Sequence, residues 1–153
     1  SFPAERPLRQ AVYDLTRRIH QDFAYDPTAT SVTTPLGEVL ALRRGVCQDF
    51  AHLQVACLRS VGLAARYVSG YLLTRPPPGQ AKLVGSDASH AWASVYDAGN
   101  GWIDFDPTND MAVGDEHITC AWGRDYEDVS PVKGVVIGGG EHSIRVEVDV
   151  AVV

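Results

Sequence analysis

The stretch Arg43-Arg44-Gly45-Val46-Cys47-Gln48-Asp49-Phe50-Ala51-His52-Leu53 constrains this chain more than any other. It reads as a turn feeding a helix. Gly45 can take backbone angles that other residues resist, so it suits a sharp entry. From Asp49 onward Phe50, Leu53, Cys57, Leu58 and Val61 recur at helical spacing until Gly62 stops them. Ala51, Val55 and Ala56 make the remaining faces largely apolar, so this helix is expected to be buried rather than merely amphipathic. Cys47 falls on its first turn, where unpaired amides and the positive end of the dipole favour a thiolate over a thiol. Free cysteines also serve as small core hydrophobes, so the helix alone leaves Cys47 open between nucleophile and filler.

Around this helix the chain reads as helices first and strands after. Leu8, Val12, Leu15, Ile19 and Phe23 form one helical stripe, ended by Asp26-Pro27. Thr34-Pro35 looks like an N-cap followed by a proline at the first helical position, opening a short helix through Leu40 and Leu42. Beyond Gly62, Arg66 to Leu73 reads as a strand, broken by Arg75-Pro76-Pro77-Pro78-Gly79. The loop from Arg75 to Ser89 is long for a compact domain, as functional loops often are. His90 to Tyr96 and Trp102 to Asp106 form a hairpin about Asp97-Ala98-Gly99-Asn100-Gly101. Met111 to Val129 is mixed, with room for a short helix. Val132 to Ile137 and Ser143 to Val153 read as two further strands about Gly138-Gly139-Gly140.

Composition sets the outer limits. With 153 residues, 45% hydrophobic and 21% charged, the chain has the makings of one globular domain, residues 1–153. It begins at Ser1 without Met, so it reads as a piece of a longer chain. A net charge of −6 and a pI near 5.2 argue against nucleic acid or an anionic membrane as partner. Three widely spaced cysteines, Cys47, Cys57 and Cys120, suit neither a disulfide framework nor a zinc site. They place the chain in a reducing compartment, the cytoplasm.

A cysteine nucleophile needs a base and a group to orient that base. His20, His117 and His142 lie in polar surroundings and read as surface histidines. His52, five positions after Cys47 on the same helix, is rotated away from the thiol. His90 opens a strand directly after a loop, where scaffold meets solvent. An odd hairpin loop, pairing Tyr96 with Asn100 or Val95 with Gly101, sets His90 directly opposite Asp106 and Asp104 opposite Trp92. An even loop would put the two sets on opposite faces.

The segments GVCQDFAHL from Gly45, HAWASVY from His90 and GWIDFDPTND from Gly101 resemble the three signature blocks of the transglutaminase-like superfamily. The run GRDYEDVSPVKG from Gly123 is similar to its bacterial members. The resemblance implies an α+β, papain-like core: N-terminal helices, with the buried Cys-bearing helix packed on a mostly antiparallel sheet. It implies a triad of Cys47 as nucleophile, His90 as base and Asp106 as orienter, and, in bacterial members, an upstream β-domain. Calcium-activated members use acidic clusters that have no counterpart here, so neither metal nor cofactor is expected. Papain-like proteases place an oxyanion-hole glutamine shortly before the cysteine, and none of Leu36 to Val46 is glutamine. The Cys47 amide can supply one oxyanion donor, and Tyr25, Gln48 and Trp92 are candidates for the second.

The reading is cysteine-dependent acyl transfer on a peptide or protein amide through a thioester, with hydrolysis favoured over transamidation. Two alternatives stay open: a binding module that keeps the fold without turnover, and an arylamine-type acyltransferase. The sequence is silent on oligomeric state. Asp49 could complement its helix dipole or pair with an arginine, and Arg124 with Asp125 reads as an ion pair near the site.

Overall fold

The computed structural model describes residues 1–74, 89–135, 137–139, 143 and 146–151. Helix α1 (Leu8–Asp22) is followed by β1 (Ala24–Tyr25), α2 (Leu36–Leu42), β2 (Arg44–Gly45) and α3 (Cys47–Ser60). Then come β3 (Ala65–Leu72), β4 (Ser89–Asp97), β5 (Gly101–Asp106), β6 (Met111–Ala112), β7 (His117–Gly123) and α4 (Tyr126–Val129). The last five strands form one antiparallel sheet in the order β6-β5-β4-β3-β7. Strands β1 and β2 make a separate parallel clip. The fold is therefore α+β, as the sequence pattern predicts. Among the described residues no helix is long and apolar enough to cross a membrane.

Helix α3 is enclosed on several sides. Val55 and Leu58 meet Val12 of α1 and Ala65, Ala93, Val95 and Phe105 of the sheet. Phe50 and Leu53 meet Ile19, Phe23 and Val39 from the helical side. Each such side chain contributes about 1.5–3 kcal/mol by leaving water. Gln54 is fully buried as well, and its Nε2 donates to Thr16 Oγ1 at 2.9 Å, which ties α3 to α1. Val61, counted in the helical stripe, lies beyond the helix end and is exposed. On the opposite face of the sheet the Arg66 guanidinium lies between two indoles, 4.1 Å from the Trp102 ring centre and 4.4 Å from that of Trp122.

Three sequence expectations need correction. Helix α2 starts at Leu36, with Pro35 rather than Thr34 as its cap, because Glu38 and Val39 both donate to the Pro35 carbonyl. The mixed segment Met111 to Val129 holds the edge strand β7 as well as the short helix α4. Its alternation is broken by a bulge opposite Ser69/Gly70 and by exposed Ile118 and Trp122, so it carries little strand signal. The described residues of Val132–Ile137 and Ser143–Val153 are not strands. Val132, Val135, Ile137 and Val146 are exposed, and an alternating pattern without a partner edge does not hold a strand. The loop from Arg75 lies outside the described residues up to Ser89, which begins β4.

Gly70 lets the sheet close around the site. It lies opposite His90 on one side and Thr119 on the other. A side chain there would run into the Ile118 carbonyl and come within 2.6 Å of the Trp92 ring. Gly70→Ala is therefore expected to destabilise the fold by about 1–3 kcal/mol through overpacking. A urea unfolding midpoint unchanged from wild type would show that the strands give way freely.

Candidate active site

The site begins with the clip that precedes α3. Tyr25 pairs with Gly45, and the Asp26 amide donates to the Gly45 carbonyl at 2.9 Å, so the chain after α1 is fastened two residues before Cys47. Asp49 fixes the turn from the helix side. Its Oδ2 accepts from the Val46 amide at 2.8 Å and from Thr30 Oγ1 at 2.6 Å. Asp49 thus holds an amide and a hydroxyl, not the arginine left open by the sequence. A Cβ at position 45 would crowd that same carboxylate oxygen at 2.5 Å, so glycine is required. Cys47 becomes the first residue of α3, half-buried and with its thiol free of any disulfide.

The sheet supplies the imidazole and the carboxylate. The β4–β5 turn is a three-residue loop, but it pairs Asp97 with Gly101 rather than Tyr96 with Asn100. Asn100 Nδ2 and the Gly99 amide both donate to the Asp97 carboxylate, and Gly101 takes a φ of 78° that favours glycine. The odd loop keeps His90 and Asp106 on one face, as expected, yet the register differs by two. Asp104 lies opposite Ser94, not Trp92, and Asp106 reaches His90 diagonally rather than from directly opposite. The contact survives this shift: His90 Nε2 lies 2.7 Å from Asp106 Oδ2.

Asp106 is fully buried and surrounded by donors. Its Oδ1 accepts from the amides of Thr108 at 2.9 Å and Asn109 at 3.3 Å. Its Oδ2 takes His90, Asn109 Nδ2 at 2.7 Å and His117 Nε2 at 3.1 Å. The sequence suggests a surface position for His117, but its side chain is wholly buried against Asp106. Neighbouring Asp115 and Glu116 gave it a polar context that carried no sign of this. Burial pushes the Asp106 carboxyl up, but the bonds from His117 and His90 outweigh it and hold the group well below the usual carboxylate range. Burial likewise works against a charged His90. The Asp106 bond and the neighbouring Cys47 outweigh it and raise this imidazole to about 9.

Cys47 and His90 line one cleft of about 340 Å³, together with Tyr25, Leu72, Thr74, Ser89, Thr108 and Asn109. Tyr25 is therefore beside the thiol, and burial followed by the Cys47 charge raises its phenol. The other two oxyanion candidates point elsewhere. Gln48 Nε2 donates to the Val32 carbonyl at 3.2 Å, and the buried Trp92 Nε1 donates to Asp104 at 3.1 Å. His52 is turned from the thiol, accepting from the Tyr126 amide at 3.1 Å. Arg124 pairs with Asp128 at 2.9 Å rather than with Asp125, which caps α4 through the Glu127 amide. His90, Asp106 and His117 bring ligand-type atoms within 4.8 Å of one another. Both ring nitrogens, and Asn109 Nδ2, lie within hydrogen-bond distance of Asp106 Oδ2 there.

A family model described as the transglutaminase-like superfamily matches residues 3–107. The chain belongs to that superfamily. An uncharacterised protein of Mycobacterium tuberculosis (strain H37Rv) is 50% identical over 98% of this chain and 49% of its own length. A protein-glutamine gamma-glutamyltransferase of Pseudomonas aeruginosa is 34% identical over 64% of the chain and 15% of its own. Among solved structures, a protein from Cytophaga hutchinsonii put forward as a cysteine protease superposes with a TM-score of 0.68. It is 31% identical, over 83% of this chain and 40% of its own. The periplasmic domain of TgpA from Pseudomonas aeruginosa follows at 0.51, with 28% identity over 69% and 39%. The chain spans about half the length of the mycobacterial relatives it matches.

In this transglutaminase-like site the two shifts act on stability in different pH windows. Asp106, depressed from 3.8, stabilises the fold above that value and loses its contribution as pH falls through its folded pKa. His90, raised from 6.5 to about 9, contributes fully below 6.5 and loses that contribution as pH rises toward 9. The stability difference between wild type and His90→Gln should therefore shrink as pH rises from 6.5 to 9. Denaturant unfolding of both proteins across that range measures it, and a constant difference would contradict the raised imidazole.

Proposed function

We propose that this chain is a cysteine-dependent acyl-transfer enzyme acting on a peptide or protein amide, with Cys47 as nucleophile, His90 as base and Asp106 as orienter. The observation that carries this reading is one cleft lined by a thiol at a helix N-terminus and by an imidazole whose far nitrogen is held by a buried carboxylate. Because His90 Nε2 faces Asp106, Nδ1 is the nitrogen left for the thiol proton. The thiolate adds to the amide carbonyl. The C–N bond then breaks, His90 returns its proton to the leaving amine, and a thioester remains on Cys47. Water, deprotonated by His90, cleaves the thioester to an acid and restores the thiol; an amine in its place would give transamidation.

The Cys47 amide, at the first helical position, has no intrahelical acceptor and suits the developing oxyanion. Tyr25, in the same cleft, is the remaining candidate for a second donor. Hydrolysis is the outcome we favour, and the likeness to a neighbour put forward as a cysteine protease supports it. The three free thiols support a reducing compartment.

Cys47→Ala is expected to abolish turnover of a peptide-amide library, and Asp106→Asn to lower kcat by up to about 10⁴. Iodoacetamide at mildly acidic pH should label Cys47 ahead of Cys57, whose thiol is raised by burial, and ahead of exposed Cys120. Equal labelling of all three, with library turnover surviving Cys47→Ala, would overturn the proposal. Product analysis with and without an added primary amine separates hydrolysis from transfer.

A further inference from the structure

We infer that His117 is a positioning residue of this site, fixing the carboxylate of Asp106 and limiting how strongly it holds His90. This rests on the reading just given, and the geometry behind it is separate. His117 belongs to β7, on the far side of β3 from β4, and pairs with Leu72. It still reaches Asp106 at 3.1 Å, because bare Gly70 lets the β7 backbone come close at Ile118. Its ring stands edge-on to Trp92 at 5.2 Å and 6.1 Å from the His90 ring, so the indole closes one side of the pair.

Which nitrogen carries the proton follows from the surroundings. His117 Nδ1 is buried and has no hydrogen-bond partner among the described residues. The Nε2 side faces a carboxylate oxygen, which only accepts. The proton therefore sits on Nε2 and is donated to Asp106. Two imidazole N–H groups then share one oxygen, one from the proposed base and one from a residue outside the cleft lining. The shared oxygen divides its charge between them. His90 feels a weaker partner than it would alone, and the carboxylate cannot rotate without breaking bonds to β4, β7 and the turn after β5.

Among the described residues, the ionisable groups around the pair include Cys47 from α3, Tyr25 from β1 beside that thiol, His90 from β4, Asp104 from β5 through Trp92, and His20 from α1, bonded to the Thr108 carbonyl. Asp110, in the same turn, pairs with Arg17 at 3.7 Å.

The test replaces His117 by Phe, which keeps a buried ring without the donor, and by Gln, which restores an N–H. The readout is the NMR titration of the His90 ring, independent of turnover. Its midpoint, near 9 in wild type, should rise by about half a unit or more in His117→Phe and return in His117→Gln. Where turnover is measurable, kcat should fall about tenfold or more in the Phe variant with little change in KM, again with rescue by Gln. A folded Phe variant with an unmoved His90 titration overturns the inference. Should that variant fail to fold, ring-nitrogen NMR of wild type decides: His117 must show its proton on Nε2, and the Nδ1 tautomer overturns the proposal. Absence of turnover in wild type would count against the proposed function and leave these NMR outcomes standing as the test of His117.

Discussion

The carboxylate of Asp106 is the point on which the rest depends. Burying an ionised group is costly unless it is paired and hydrogen-bonded, and Asp106 has no exposure at all. Five donors make it tolerable: two backbone amides on one oxygen, and two imidazoles and an amide side chain on the other. Those donors come from β4, β7 and the turn after β5, so the sheet must be fully assembled before the charge is satisfied. Removing any one of them would leave part of the charge without a partner.

Against this rigid sheet side stands a helical side held by local means. Gly45, Asp49 and Thr30 shape the turn into α3, and the β1–β2 clip brings Tyr25 to it. The enclosed helix then carries the thiol to the sheet, with Ala51 among Tyr67, Ala91 and Val129 just behind it. The two halves meet across the cleft and along the apolar core behind it. Reaction geometry is therefore set by how α3 packs on β3 and β4, an apolar contact that runs from Val55 and Leu58 up to Cys47 itself.

Much of this was legible in the sequence, for definite reasons. The cysteine helix shows itself because nearly every face is apolar, and the hairpin because two alternating runs flank a Gly-rich turn. Parity put His90 and Asp106 on one face, but register could not be read, since Asp97 both ends β4 and caps the turn with its own carboxylate. His117 was hidden because its value lies in a contact across two strands, while its neighbours Asp115 and Glu116 are acidic. Strand β7 was hidden by its bulge, and the C-terminal apolar runs misled because hydrophobic alternation signals a strand only where an edge is waiting.

The sheet order has a consequence for how the protein is made. Strand β3 is the first of the large sheet to be synthesised, and its two neighbours are β4, which follows it, and β7, which is translated last. As the chain emerges, β3 to β5 can zip together while one flank of β3 stays open. Until residues 117–123 leave the ribosome, Asp106 lacks one of its imidazole partners. The nascent chain thus carries its thiol well before it carries a finished site, and the last strand to arrive is the one that completes it.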